Sequence, residues 1–130
     1  MRTAGLLIAL AGLSLAGCSD LCGNKVITEE LSPDLNFKAV IFERDCGATT
    51  AFSTQVSVLE ASADLTGGGN AFVSDGGQAS EGWNGPWVAV KWLGSDSLQI
   101  AYDSTGRVFE QDKSVDGVSI RYLAVERPAL

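Results

Sequence analysis

The chain has no histidine. That removes Ser-His-Asp and Cys-His catalysis and most zinc sites, all of which depend on imidazole. Bases are scarce: nine Lys and Arg stand against sixteen Asp and Glu, a formal charge of −7. A phosphate backbone needs a basic surface, so nucleic acid is excluded as a partner. No internal repeat is present, which rules out a solenoid or a propeller. At 130 residues the chain has the length of one domain and not two. What it does have is an ordinary globular balance, 45% hydrophobic and 19% charged, so disorder is not expected.

The N-terminus reads as an address. Met1-Arg2-Thr3 is a short basic start, and Ala4 to Gly17 then carries no charge. Such a run is shorter than the roughly twenty residues of a lasting transmembrane helix. Its length and flanks fit a helical secretory signal peptide over 1–17. Its end, Leu15-Ala16-Gly17-Cys18, resembles the lipobox of bacterial lipoproteins. The resemblance implies that the Cys18 sulfur takes a diacylglycerol and that a peptidase cuts after Gly17. Several acyl chains on one residue hold firmly, whereas one chain is marginal. Cys22 does not fit this role, because bulky Leu21 precedes it. Ser19 follows the lipid-bearing position and, by the same resemblance, favours the outer membrane over the inner. Cleavage removes Arg2 and no acid, taking the charge from −7 to −8. The membrane partner is therefore reached through the lipid and not through the surface. Residues 18–25 are expected to form a tether and 26–130 a single domain facing the periplasm.

That domain reads as all-β. Leu98, Ile100 and Tyr102 alternate with polar or small residues, as do Val88, Val90 and Trp92, and Val118, Ile120 and Tyr122. Val56 and Val58 show the same period. Phe37 to Phe42 is apolar on both faces apart from Lys38, which suits a central strand covered on both sides. Shorter candidates lie at Val26–Glu29, Ala71–Val73 and Arg107–Gln111. The expected fold is a small antiparallel β-sandwich or partly open barrel of seven or eight strands. Turn chemistry at Gly94-Ser95-Asp96, Asp103 to Gly106 and Asp116-Gly117 predicts three sequential hairpins, an antiparallel meander. Ser32-Pro33-Asp34-Leu35-Asn36 resembles the SPDG turn of β-propeller blades, with Leu35 where glycine is usual.

Few residues invite chemistry. Once Cys18 is lipidated, Cys22 and Cys46 remain, and one disulfide is the simplest outcome for an exported chain. The alternative is two unpaired thiols. Phe42-Glu43-Arg44-Asp45-Cys46-Gly47-Ala48-Thr49-Thr50 resembles a run shared by a family of small, uncharacterised bacterial lipoproteins, from which no activity carries over. Physically it reads as a disulfide-pinned corner at a solvated strand edge, with Glu43 and Asp45 as a weak acid pair. Trp83 and Trp87 border the long loop Asp75–Pro86 and are candidates for stacking on a sugar; the competing role is covering a core edge. Gly67-Gly68-Gly69 lacks the GK[ST] of a phosphate loop and is expected to be a flexible hairpin link. Asp96, Asp103, Asp112 and Asp116 match no calcium loop and suit turns. No metal site, no cofactor and no catalytic residue is assigned.

The sequence thus points to a lipid-anchored, non-catalytic envelope module that binds a partner or plays a structural role. A periplasmic inhibitor of a hydrolase such as lysozyme is the main rival, on size and location alone. An enzyme would need a carboxylate or serine-lysine mechanism, and no spacing supports one.

Overall fold

The computed structural model describes residues 21–47 and 51–126. The segment 1–17 read as a leader, Cys18 and Thr49-Thr50 lie outside the described residues. Nine strands succeed one another: β1 Gly23–Leu31, β2 Phe37–Asp45, β3 Ser53–Glu60, β4 Phe72–Asp75, β5 Val88–Gly94, β6 Ser97–Asp103, β7 Arg107–Gln111, β8 Ser114–Val115 and β9 Val118–Val125. They form a five-stranded sheet, β1-β2-β3-β4-β7, and a four-stranded sheet, β5-β6-β9-β8. The inner faces meet as a sandwich. Ala39, Ile41, Val56, Val58 and Phe72 from the first sheet pack with Val88, Leu98, Ile100, Val118 and Ile120 from the second. Each large aliphatic or aromatic side chain so buried stabilises by roughly 1.5–3 kcal/mol. Phe72, Tyr102 and Tyr122 add an aromatic cluster, with ring centroids 5.1–6.5 Å apart.

The stretch Phe37–Phe42 is covered on both sides, as its composition requires. Ala39 and Ile41 face the core, while Val40 and Phe42 point outward and are still fully buried. The link between β3 and β4 runs over that outer face. Asn24 on β1 donates to the Gly67 carbonyl (2.8 Å), and the Gly69 amide donates to the Gln55 side chain on β3 (2.7 Å). Since β1 and β3 flank β2, the glycine triplet straps across it. It is not the flexible link expected from composition. A Cβ on Gly69 would sit 2.8 Å from the Phe72 carbonyl oxygen and 2.9 Å from that of Val56, so close approach, and not mobility, demands glycine.

The expected meander does not form. β5 and β6 are a hairpin, and Val115 pairs with Val118 across the Asp116-Gly117 turn, where both residues have positive φ (49° and 82°). Between them, however, the Asp103–Gly106 turn passes the chain to the other sheet. There β7 pairs antiparallel with β4. The chain returns through β8, and β9 lies parallel to β6, Ser97 opposite Ser119. The second sheet is therefore mixed. The turn is well capped: the Asp103 carboxylate accepts from the Thr105 amide (2.9 Å) and hydroxyl (2.7 Å). Capping of this kind serves a corner as well as a hairpin, so the residues alone do not choose between them. β8, with two residues, is too short for periodicity to mark.

The turn between β1 and β2 is built around Asp34. Its carboxylate accepts from the Ser32 hydroxyl (2.7 Å), the Asn36 amide (3.2 Å) and the Asn36 side chain (2.9 Å). The Ser32 hydroxyl in turn accepts from the Phe37 amide (3.0 Å). Leu35 is left in the left-handed region, φ 63°. That conformation costs a β-carbon about 1–2 kcal/mol, whereas glycine's extra freedom in the unfolded chain costs about 0.4–1. Leu35→Gly is therefore expected to raise stability by about 0.5–1 kcal/mol, read as a higher urea midpoint. An unchanged or lower midpoint would contradict this account of the turn. The Ser32 hydrogen bond, followed by the Asn36 amide, holds the Asp34 pKa below its usual value. A lowered acid contributes stability above its unfolded pKa and loses it as the pH falls through the folded value. Between pH 5 and pH 2 the urea midpoint of wild type should thus fall more than that of Asp34→Asn.

Candidate functional site

Of the residues singled out in the sequence, Cys22, Cys46, Glu43, Trp83, Trp87 and Asp103 fall at one end of the sandwich, and Asp96, Asp112 and Asp116 do not. Cys22 and Cys46 form a disulfide, Cα atoms 3.9 Å apart. Pairing register explains it: Gly23 lies opposite Asp45, so one more step along both strands brings the cysteines together. β1 begins at Gly23, within the segment expected to be tether. The covalent link thus fixes the entry to the sandwich. The same pole carries the 76–86 loop, the Asp103–Gly106 corner and the end of β9, because Arg44 pairs with Ser53, Ser53 with Asp75, Asp75 with Arg107, and Asp103 with Val125.

The loop closes this pole like a plug. Ala79 bridges to Pro86, and the Ser80 amide donates to the Gly85 carbonyl (2.9 Å). Beneath it lies a row of inward polar side chains on adjacent strands, Glu43, Thr54 and Ser74. All three are buried. The Asn84 amide donates to Glu43 Oε2 (2.8 Å), and its side chain to Oε1 (3.4 Å). The Trp83 indole N–H donates to the Thr54 hydroxyl (2.9 Å), which donates to the Pro86 carbonyl (2.6 Å). Glu43 is therefore not at a solvated edge, as the sequence suggested, but 6% exposed under the loop. The loop's amides replace the water that a strand end would otherwise meet. Asp45, two residues on, is exposed and accepts from the Gly47 amide (3.0 Å). The two acids share no site.

This arrangement closes a core. A serine nucleophile needs a base within hydrogen-bond reach. The buried Ser74 hydroxyl has no partner, and Glu43 lies two strands away, about 10 Å across the sheet. Trp83 spends its N–H inside, and Trp87, half-buried, gives its carbonyl to the Asp103 amide (3.0 Å). The turn aspartates behave as turn residues, with Asp103 as the buried cap. Asp112 sits at another edge of the sandwich, where its carbonyl accepts from Tyr122 (2.6 Å). Burial, followed by the nearby Asp112, raises the Glu110 carboxyl pKa, and burial raises the Tyr122 phenol. No cluster of ligating side chains suited to a metal occurs among the described residues. Nothing in the local sequence marks the Thr54–Ser74 row, because small hydroxyl residues suit a loop or a strand surface equally well. Asn84-Gly85-Pro86 carried a signal as turn residues, but not for what they cover.

No protein-family model, curated protein or solved structure matches the chain. The lipoprotein reading therefore rests on the residues of the leader and the Cys46 segment.

A Cβ on Gly85 would run into the Thr54 hydroxyl and press on the β3 backbone. Gly85→Ala should lower stability by about 2 kcal/mol. Ser74→Ala removes a buried hydroxyl with nothing to bond and should raise stability by about 1 kcal/mol. Urea unfolding checks both, and a destabilised Ser74→Ala would mean that the hydroxyl has a use.

Proposed function

We propose that this chain is a lipid-anchored envelope protein whose β-sandwich works by binding, not by catalysis. The observation that carries the reading is the disulfide next to the leader. Cys22–Cys46 belongs to an oxidising compartment, which the exported reading of 1–17 requires. It leaves Cys18 as the cysteine for lipid, four residues ahead of the bridge. The domain then hangs from the membrane by a short segment, with its disulfide pole nearest the lipid and the bulk of the sandwich in the periplasm. In this reading Ser19, after the lipid-bearing position, favours the outer membrane over the inner. Among the described residues no helix is long and apolar enough to cross a membrane. The anchor in this reading is the set of acyl chains on Cys18.

The non-catalytic half is supported by the isolation of Ser74 and the locked carboxylate of Glu43. A module of this kind acts on another envelope protein by contact. Metabolic labelling with palmitate tests the anchor. Wild type and Cys46→Ala should both incorporate label, while Cys18→Ala should incorporate none and keep its leader. Label that survives Cys18→Ala, or no label in wild type, would overturn the proposal.

A further inference from the structure

The pole opposite the disulfide holds a leucine that local physics disfavours twice. Leu35 has φ 63°, and its side chain is 64% exposed. It strains the backbone and buries little. Residues held in sparsely populated conformations cluster where a ligand needs them. Leu35 is also one wall of an open groove of about 540 Å³, lined by Asn36, Phe37, Glu60, Ala61 and Ser62.

The groove is rigidly framed. The Ala61 amide donates to the Asn36 carbonyl (2.9 Å), and Phe37 pairs with Glu60 across β2 and β3. The Ala63 amide then donates to the Glu60 carbonyl (3.0 Å). Leu35, Phe37 and Ala61 supply apolar surface. Glu60 is the charged group of the lining, and no base is among the lining residues. Asp34 adjoins it, fully exposed, with Ser32 and Asn36 holding its carboxylate in the charged form.

We propose that this groove docks a cationic segment of a partner protein. An apolar side chain of the partner enters between Leu35 and Phe37, and a neighbouring Lys or Arg faces Glu60 and Asp34. A second copy of this chain is a poor occupant, since each carries a formal charge of −7. The groove is far smaller than a standard protein interface, so the contact is weak and exchanging. Only the orientation rests on the proposed anchor: with Cys18 in the lipid, this pole points away from the membrane. Binding itself does not depend on it, so the two readings fail separately.

The test uses the purified full-chain product in nonionic detergent. The probe is a synthetic peptide alternating lysine and leucine, with two controls, one replacing each lysine by glutamate and one replacing each leucine by alanine. Amide chemical shifts follow the titration. The lysine–leucine peptide should shift Leu35 to Phe37 and Glu60 to Ser62, and both controls should fail to do so. Leu35→Gly keeps the charge unchanged, yet should weaken binding about tenfold. Glu60→Gln should weaken it too, and added salt should lower the affinity of wild type. Shifts spread over the whole acidic surface would overturn the proposal. So would wild-type affinity in Leu35→Gly, or a dimer in sedimentation that Leu35→Gly dissociates.

Discussion

The bond between Cys22 and Cys46 sets the frame for everything else in the molecule. It joins the first turn of chain before β1 to the chain leaving β2, at the point where antiparallel register already brings them together. A bridge spanning 24 residues restricts the unfolded chain and stabilises by about 3 kcal/mol in the chain-entropy estimate. It also has a geometric effect. An edge strand such as β1 would be the first to fray. Here the bridge holds its start to the neighbouring β2, so the end of the sandwich where the chain enters is pinned.

The two ends are finished differently. At the bridged end the 76–86 loop turns inward, and its amides and indole satisfy Glu43 and Thr54 inside the sandwich. Burying a carboxylate is expensive unless its oxygens are bonded, and here both are. Of the two tryptophans considered for a sugar platform, Trp83 gives its indole N–H to this closure, and Trp87 follows the loop half-buried. At the far end the turn around Asp34 is satisfied within itself, and it leaves Leu35 outside. One end thus consumes its polar groups, and the other displays an apolar residue beside exposed acids. The sheets are also tied along their sides: the Trp92 indole N–H donates to the Glu30 carbonyl (2.9 Å) on one, and the Tyr122 hydroxyl donates to the Ala71 carbonyl (3.0 Å) on the other.

Much of the fold was legible because burial has a period. Leu98-Gln99-Ile100 and Val118-Ser119-Ile120 alternate in sequence because they alternate between core and solvent. Phe37–Phe42 broke the alternation because a strap covers its outer face. The cysteine pair was legible by elimination. What stayed hidden was non-local. Asp103–Gly106 has the composition of any tight turn, and only the available edge of β4 sends β7 to the other sheet. Glu43 reads as a surface residue because charge predicts exposure; its burial depends on Asn84, forty-one positions away. Gly69 signals flexibility by composition, yet it is constrained by two carbonyls that no local pattern places beside it. Leu35 could be noticed as a departure from a turn pattern, but its groove forms only when the end of β3 arrives.

The central proposal is one of covalent chemistry at three cysteines, and mass spectrometry of the product extracted from membranes without reduction reads it directly. The account predicts a chain that begins at Cys18, carries acyl mass on that residue, and releases its Cys22 and Cys46 peptides as one disulfide-linked species. A product that retains residues 1–17, has an unmodified thiol at Cys18, or yields Cys22 and Cys46 as separate thiol peptides would contradict it.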